Sequence, residues 1–202
     1  MNALSIASKS AGIIAAMLRG GPLECDAPKM IEDFSPEKFM GAWHKVSHNG
    51  GILNPTFVNC EAIELAEFDE ASSRAKLWTS NQGMGTFRIG AEGFIRFDEG
   101  GSIHVGNGDS ETADPRRVIM TDYETYAVFY SCSPEDYEEN VEVFTRDSKF
   151  VTKFPEEWKQ LKKDISEVIP EYHWKYAKQN IQPKYCDYEA HYTENKSHNF
   201  TQ

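Results

Sequence analysis

The sequence predicts an all-β fold: an eight-stranded antiparallel up-and-down barrel with one C-terminal α-helix packed outside. Three observations predict it. Between Trp43 and Arg146 apolar and polar residues alternate in short runs, the period of half-buried strands. Turn-forming residues separate those runs, at Asn49-Gly50-Gly51, Asn54-Pro55, Asp69 to Ser73, Asn81 to Gly85, Glu99-Gly100-Gly101, Asn107-Gly108-Asp109 and Ser133-Pro134. A single stretch of helical spacing then begins at Pro155.

Taken in order, the run Ser35-Pro36-Glu37-Lys38-Phe39 supplies an N-cap residue and a proline at the first helical position, so a single helical turn precedes Gly41. The strands are expected at 42–49, 58–67, 74–80, 85–97, 101–106, 116–122, 126–132 and 138–146. Successive hairpins make an antiparallel meander, and eight strands can remove their two exposed edges by closing into a barrel. Pro155 opens the helix, Glu156 and Glu157 lie in its first turn, and Lys162 and Lys163 follow, as the helix dipole favours. Trp158, Leu161, Ile165 and Val168 form the stripe expected to pack on the outside of the barrel. Pro170 ends the helix, and the segment around Tyr172, Trp174 and Tyr176 is expected to add a short strand.

At 202 residues the chain suits one domain, expected over 24–186, with a targeting or disordered segment at 1–23 and a flexible tail at 187–202. The first 23 residues carry no acid, and Ser5, Ser8, Lys9 and Ser10 precede the apolar stretch Ala11 to Leu18. A signal peptide or an organelle transit peptide has this character. The net charge of -11 argues against nucleic-acid and anionic-membrane partners, which need clustered Lys and Arg. No run approaches the roughly 20 apolar residues of an integral membrane span. Cys25, Cys60, Cys132 and Cys186 stand far apart, with no C-x-x-C pair. Two disulfides in an oxidising compartment are the reading taken, four buried thiols the alternative.

Enzyme and metal chemistry have no motif to stand on. The six histidines, His44, His48, His104, His173, His191 and His198, show no ligand spacing. There is no G-x-S-x-G elbow, and Gly83-Met84-Gly85 and Gly106-Asn107-Gly108 lack the third glycine and following helix of a dinucleotide site. No catalytic residue and no metal site are assigned. Asn195-Lys196-Ser197 and Asn199-Phe200-Thr201 match the glycosylation acceptor pattern in the tail.

Gly41-Ala42-Trp43 after a helical turn, Thr121-Asp122-Tyr123 before Tyr126-Ala127-Val128, and Arg146 at a strand end resemble the three signature regions of the lipocalin family. The likeness runs from about Cys25 to Cys186. It implies that Gly41 starts the first strand, Trp43 closes the narrow end of the barrel and Arg146 lies across its indole as a cation-π pair. Asp122 then serves turn geometry. The tract Thr121 to Cys132 looks especially like the apolipoprotein D and retinol-binding protein branch, which implies disulfides Cys25–Cys132 and Cys60–Cys186.

A shorter likeness joins Leu53-Asn54-Pro55-Thr56-Phe57, Cys60 and Val143-Phe144-Thr145-Arg146 to the lipocalin domain of violaxanthin de-epoxidases. Those plastid enzymes use an acid just before that cysteine, where this chain has Val58 and Asn59. The likeness points to a carotenoid and a plastid lumen without supporting the reaction. A de-epoxidase-like enzyme acting on xanthophylls is kept as the alternative.

Matched to the family, strand alternation directs Phe39, Ile63, Leu65, Leu77, Val118, Met120, Ala127, Phe129 and Phe144 inward as ligand-binding residues, with Phe87 and Phe94 beside them. Arg116 and Glu142 fall on the same face, placed to meet a polar end of a ligand or to pair with other side chains. The resemblance thus implies a secreted carrier of one small hydrophobic molecule, be it carotenoid, tetrapyrrole, retinoid or fatty acid. It requires no cofactor beyond that pigment or lipid and leaves the oligomeric state open.

Overall fold

The computed structural model describes residues 28–29, 31–49, 59–82, 88–108, 110–111, 116–132, 139–170, 174, 177–180, 186 and 188. A helical turn, α1 (Pro36–Phe39), leads into β1 (Gly41–His48), β2 (Asn59–Asp69), β3 (Arg74–Gln82), β4 (Arg88–Phe97), β5 (Ser102–Asn107), the two-residue β6 (Ser110–Glu111), β7 (Arg116–Thr121), β8 (Tyr126–Cys132) and β9 (Glu139–Thr145). Then come α2 (Phe150–Lys153), α3 (Pro155–Val168) and β10 (Lys178–Gln179). The sheet runs β10-β1-β2-β3-β4-β5-β7-β8-β9, and β9 pairs back onto β1, His44 opposite Thr145 and Lys45 opposite Phe144. This ring closes an antiparallel barrel of eight strands, with β6 attached to β5 and β10 to β1.

Alternation divides the apolar residues into two layers. Trp43, Leu65, Ala75, Leu77, Ile95, Phe97, Ile103, Val118, Ala127, Phe129 and Phe144 pack inside the barrel around Phe39. Val128, Tyr130, Val141 and Val143, their neighbours along β8 and β9, point outward and meet Phe150 of α2 and Leu161 and Ile165 of α3. Both faces of β8 and β9 are therefore dry, which explains why these strands read as nearly continuous apolar runs.

The expected strands agree with those observed to within a few residues, and the helix lies where its spacing predicts. Two details differ. Val168 is 37% exposed and Ile169, one position on, is buried at 7%, because the helix ends at Val168 and its ψ of 80° at Ile169 turns that side chain back to the barrel. Trp174 forms no strand: its ring packs edge-on against Trp158 of α3, centroids 5.7 Å apart, and its indole N–H donates to the Lys162 carbonyl and Ser166 Oγ. The added strand comes later, where Lys178 and Gln179 pair with His48 and Ser47.

Ile165 is fully buried between α3 and the barrel. Ile165→Ala should lower unfolding stability by about 2–5 kcal/mol, while Val168→Ala should change it by less than about 0.5 kcal/mol. Urea titrations followed by tryptophan fluorescence measure both, and equal losses would contradict the packing described.

Candidate functional site: the barrel interior

Gly41 leaves α1 at φ +98°, a left-handed value suited to glycine. A Cβ there would stand 3.1 Å from a terminal nitrogen of Arg146. Two residues on, Trp43 turns fully inward and donates its indole N–H to the Phe39 carbonyl at 2.9 Å. The Arg146 guanidinium lies 3.5 Å from the centre of that indole. Its N–H groups donate to the carbonyls of Ala42 at 2.9 Å, Tyr123 at 3.1 Å and Lys38 at 3.4 Å. Burial pulls the guanidinium pKa down to about 10, so it remains a cation at neutral pH.

The β7–β8 turn is shaped by its own side chains. Asp122 Oδ1 accepts from the backbone N–H groups of Glu124, Thr125 and Tyr126 at 3.1, 2.7 and 3.0 Å. Thr121 Oγ1 accepts from the Tyr123 N–H and donates to the Tyr126 carbonyl. Tyr123 takes a left-handed φ of 66°, and its hydroxyl receives the Ser35 N–H at 3.0 Å. The Ser35 hydroxyl caps no backbone group of α1 and donates to Glu37 instead. Phe34, Phe39, Phe97 and Tyr123 stack across the same end with ring centres 5.2 to 6.5 Å apart.

Away from this aromatic base the inward face becomes accessible. On β4 the inward residues run from Phe97 at 4% and Ile95 at 1% exposure through half-buried Gly93 to exposed Ala91. On β3, Ala75 and Leu77 are buried, whereas Thr79 and Asn81 are half-buried. The interior is thus sealed at one end and opens toward the other.

Between the two lies a collar of charged side chains. Lys45 follows Trp43 on the inward face of β1 and pairs with Glu142 at 2.6 Å and Glu61 at 3.1 Å. The second oxygen of Glu142 accepts from Arg116 at 2.8 Å. Asn180, just beyond β10, reaches across the wall to donate to Glu61 and accepts from His48 Nδ1 at 2.6 Å. Burial works against both charges at the centre. Even so, the attraction of Lys45 and Arg116 holds Glu142 below the usual carboxylate range, and its carboxylate and that of Glu61 raise Lys45 above the usual ammonium value. Burial lowers the His48 pKa, and its Nε2 has no partner among the described residues.

Of the residues expected inward, Phe39, Ile63, Leu65, Leu77, Val118, Ala127, Phe129 and Phe144 line or pack against the interior. Arg116 and Glu142 join the collar. Met120 is a correction: a bulge places Val118 opposite Phe129 but Met120 opposite Val128, so Met120 turns outward to the helix layer. Phe94 is a second correction. It pairs with Lys76 and Gly106 on the outer face, with the Arg74 guanidinium 4.3 Å from its ring centre, while Ile95 and Phe97 take the interior. Phe87, the segment 1–23 and the sequons of the tail lie outside the described residues. Lys45 and Glu61 went unassigned although each stands two positions from an inward residue. His48 follows a bulge, between Lys45 and Ser47, and nothing local in the sequence brings Asn180 to it.

Cys60 and Cys186 are bonded, with Cα atoms 5.5 Å apart, which ties the C-terminal segment to β2. Cys132 is also disulfide-bonded, and Cys25, its expected partner, lies outside the described residues. Among the described residues no helix is long and apolar enough to cross a membrane, and no group of His, Cys, Asp and Glu is arranged to hold a metal ion.

A sealed base under a crossing arginine, a closed eight-stranded meander and one external helix make up the lipocalin fold. Solved structures share it. Insecticyanin from the tobacco hornworm Manduca sexta superposes with a TM-score of 0.64 at 19% identity, covering 80% of this chain and 87% of that one. Lobster apocrustacyanin A1 gives 0.60 at 16% identity over 77% and 84% of the two chains. The cockroach allergen Per a 4 gives 0.61 at 14% over 79% and 96%. No family model and no characterised protein matches the sequence itself.

The imidazole of His44, on the outer face of β1, has its pKa lowered by burial to about 4. Such a group adds stability above the unfolded value of 6.5 and withdraws it as pH falls toward 4, because the unfolded chain then binds the extra proton. Urea midpoints should therefore drop between pH 7.5 and 5.5, and His44→Gln should reduce that drop. A variant with the parent's full pH dependence would exclude His44 as its source.

Proposed function

We propose that this chain is a binding module that carries a small hydrophobic molecule inside the barrel. The observation that carries the reading is the one-ended interior. Apolar side chains line it from the Trp43–Arg146 base upward, and exposure along the same inward face rises toward the other end. A wall of that composition favours an apolar occupant, since burial yields about 25 cal/mol per Å², and mostly apolar concave sites are where small ligands are enclosed. The lipocalin fold supports the same reading. Phe129, Phe144 and Val118 are wall residues beside the collar by strand register. The Cys60–Cys186 bond supports residence in an oxidising compartment, such as the secretory lumen or outside the cell.

Binding of Nile red, an uncharged apolar dye that brightens in dry surroundings, tests the reading with two matched variants. Thr79→Trp fills the inward face near the accessible end and should weaken binding roughly tenfold or more. Lys76→Trp adds the same ring to the outer face and should leave binding within about twofold. Equal effects, or no dye binding by the parent protein, would contradict an interior site.

A further inference from the structure

We propose that the collar of Lys45, Glu61, Arg116 and Glu142 selects ligands whose polar end is an uncharged oxygen, an alcohol or a carbonyl, and rejects carboxylates. The inference rests on the carrier reading and narrows its ligand class. The four groups lie on one inward face. Lys45 sits opposite Phe144, Glu142 opposite Phe129, and Arg116 opposite Ile103, and Glu61 alternates with Ile63 and Leu65 on β2. They mark the edge of the apolar half: the Lys45 ammonium is 5.6 Å from the Phe144 ring centre. An apolar ligand lying in the closed half would therefore bring its other end to the collar.

Two cations face two carboxylates there, and His48 is neutral near pH 7, so the collar carries no net charge among the described residues. Each charge already has its partner. A ligand carboxylate could gain Arg116 or Lys45 only by taking it from Glu142, whose side chain is 5% exposed. Stripping a buried carboxylate of its cation is strongly unfavourable. An ammonium head group meets the mirror-image obstacle, competing with Lys45 for carboxylates already engaged. A neutral oxygen displaces nothing. Arg116 is 44% exposed and donates to Glu142 through one terminal nitrogen. Its remaining N–H groups have no acceptor among the described residues and suit a hydroxyl or carbonyl oxygen.

The test compares dodecan-1-ol with dodecanoate, which share an apolar chain and differ in head-group charge, as competitors of Nile red at pH 7.5. In the parent protein the alcohol should bind roughly tenfold or more tightly than the acid. Glu142→Gln leaves two cations facing one carboxylate and should strengthen dodecanoate roughly tenfold or more relative to the alcohol. Arg116→Gln should weaken the alcohol and leave the acid no tighter.

A parent that binds acid as tightly as alcohol overturns the proposal. So does a Glu142→Gln protein that still takes the alcohol but gains nothing for the acid. In either case binding persists and the carrier reading stands. If the parent binds neither the dye nor either competitor, the carrier reading fails and the proposal falls with it. Should Glu142→Gln lose the native far-ultraviolet circular dichroism, the parent preference and Arg116→Gln decide the matter.

Discussion

The guanidinium of Arg146 against the face of Trp43 is the contact on which the rest of the molecule depends. A ring of strands needs something to hold its first and last members together below the point where sheet hydrogen bonds end, and here one side chain does so. From β9 it reaches the carbonyls of Ala42 at the start of β1, Tyr123 in the β7–β8 turn and Lys38 in α1. A buried guanidinium is costly unless its N–H groups are met. The three carbonyls and the indole face meet them, so the cost of burying Arg146 becomes a reason for those segments to converge. Gly41 is part of the same arrangement, since any side chain there would press on Arg146.

With the base fixed, β-bulges decide what the remaining strands present to the interior. A bulge adds one residue to one strand and reverses the faces of everything beyond it. On β1 the bulge turns Ser47 outward beside Val143 and brings His48 inward opposite Glu142, after alternation alone has placed Lys45 inside and Val46 in the helix layer. On β7 it sends Ile119 and Met120 outward after Val118 has pointed in. The first bulge adds His48 to the inward face beside the charged collar, and the apolar seat for α3 is completed by the second.

The outer helix and the C-terminal segment close gaps that the barrel leaves. Among the described residues strands β1 and β2 pair from Gly41 to His44, and beyond that point β10 pairs with β1, the Asn180 N–H donating to the Val46 carbonyl. The Asn180 side chain spans from His48 to Glu61, and the Cys60–Cys186 bond secures the same stretch of chain. A covalent link over 126 residues restricts the unfolded chain substantially, which favours the seated arrangement of Cys186 on β2.

By itself the sequence determined the eight strands and the helix, while the sealing pair Trp43 and Arg146 came from the likeness to lipocalins. Strands and helix are encoded locally: alternation marks a strand, glycine, asparagine and proline mark its ends, and Pro155 with the Leu161–Ile165 stripe marks the helix. Lys45 and Glu61 were also legible, since alternation from Trp43 and Ile63 puts them inside. Only the tertiary structure decided that Met120 and Phe94 face outward and that His48 and Asn180 meet. A bulge leaves no signature in composition, and Phe94 competes with Ile95 and Phe97 for an inward face that pairing with β3 and β5 assigns. The collar is a property of that closure, because Glu142 and its partner Arg116 meet Lys45 only when β9 returns to β1.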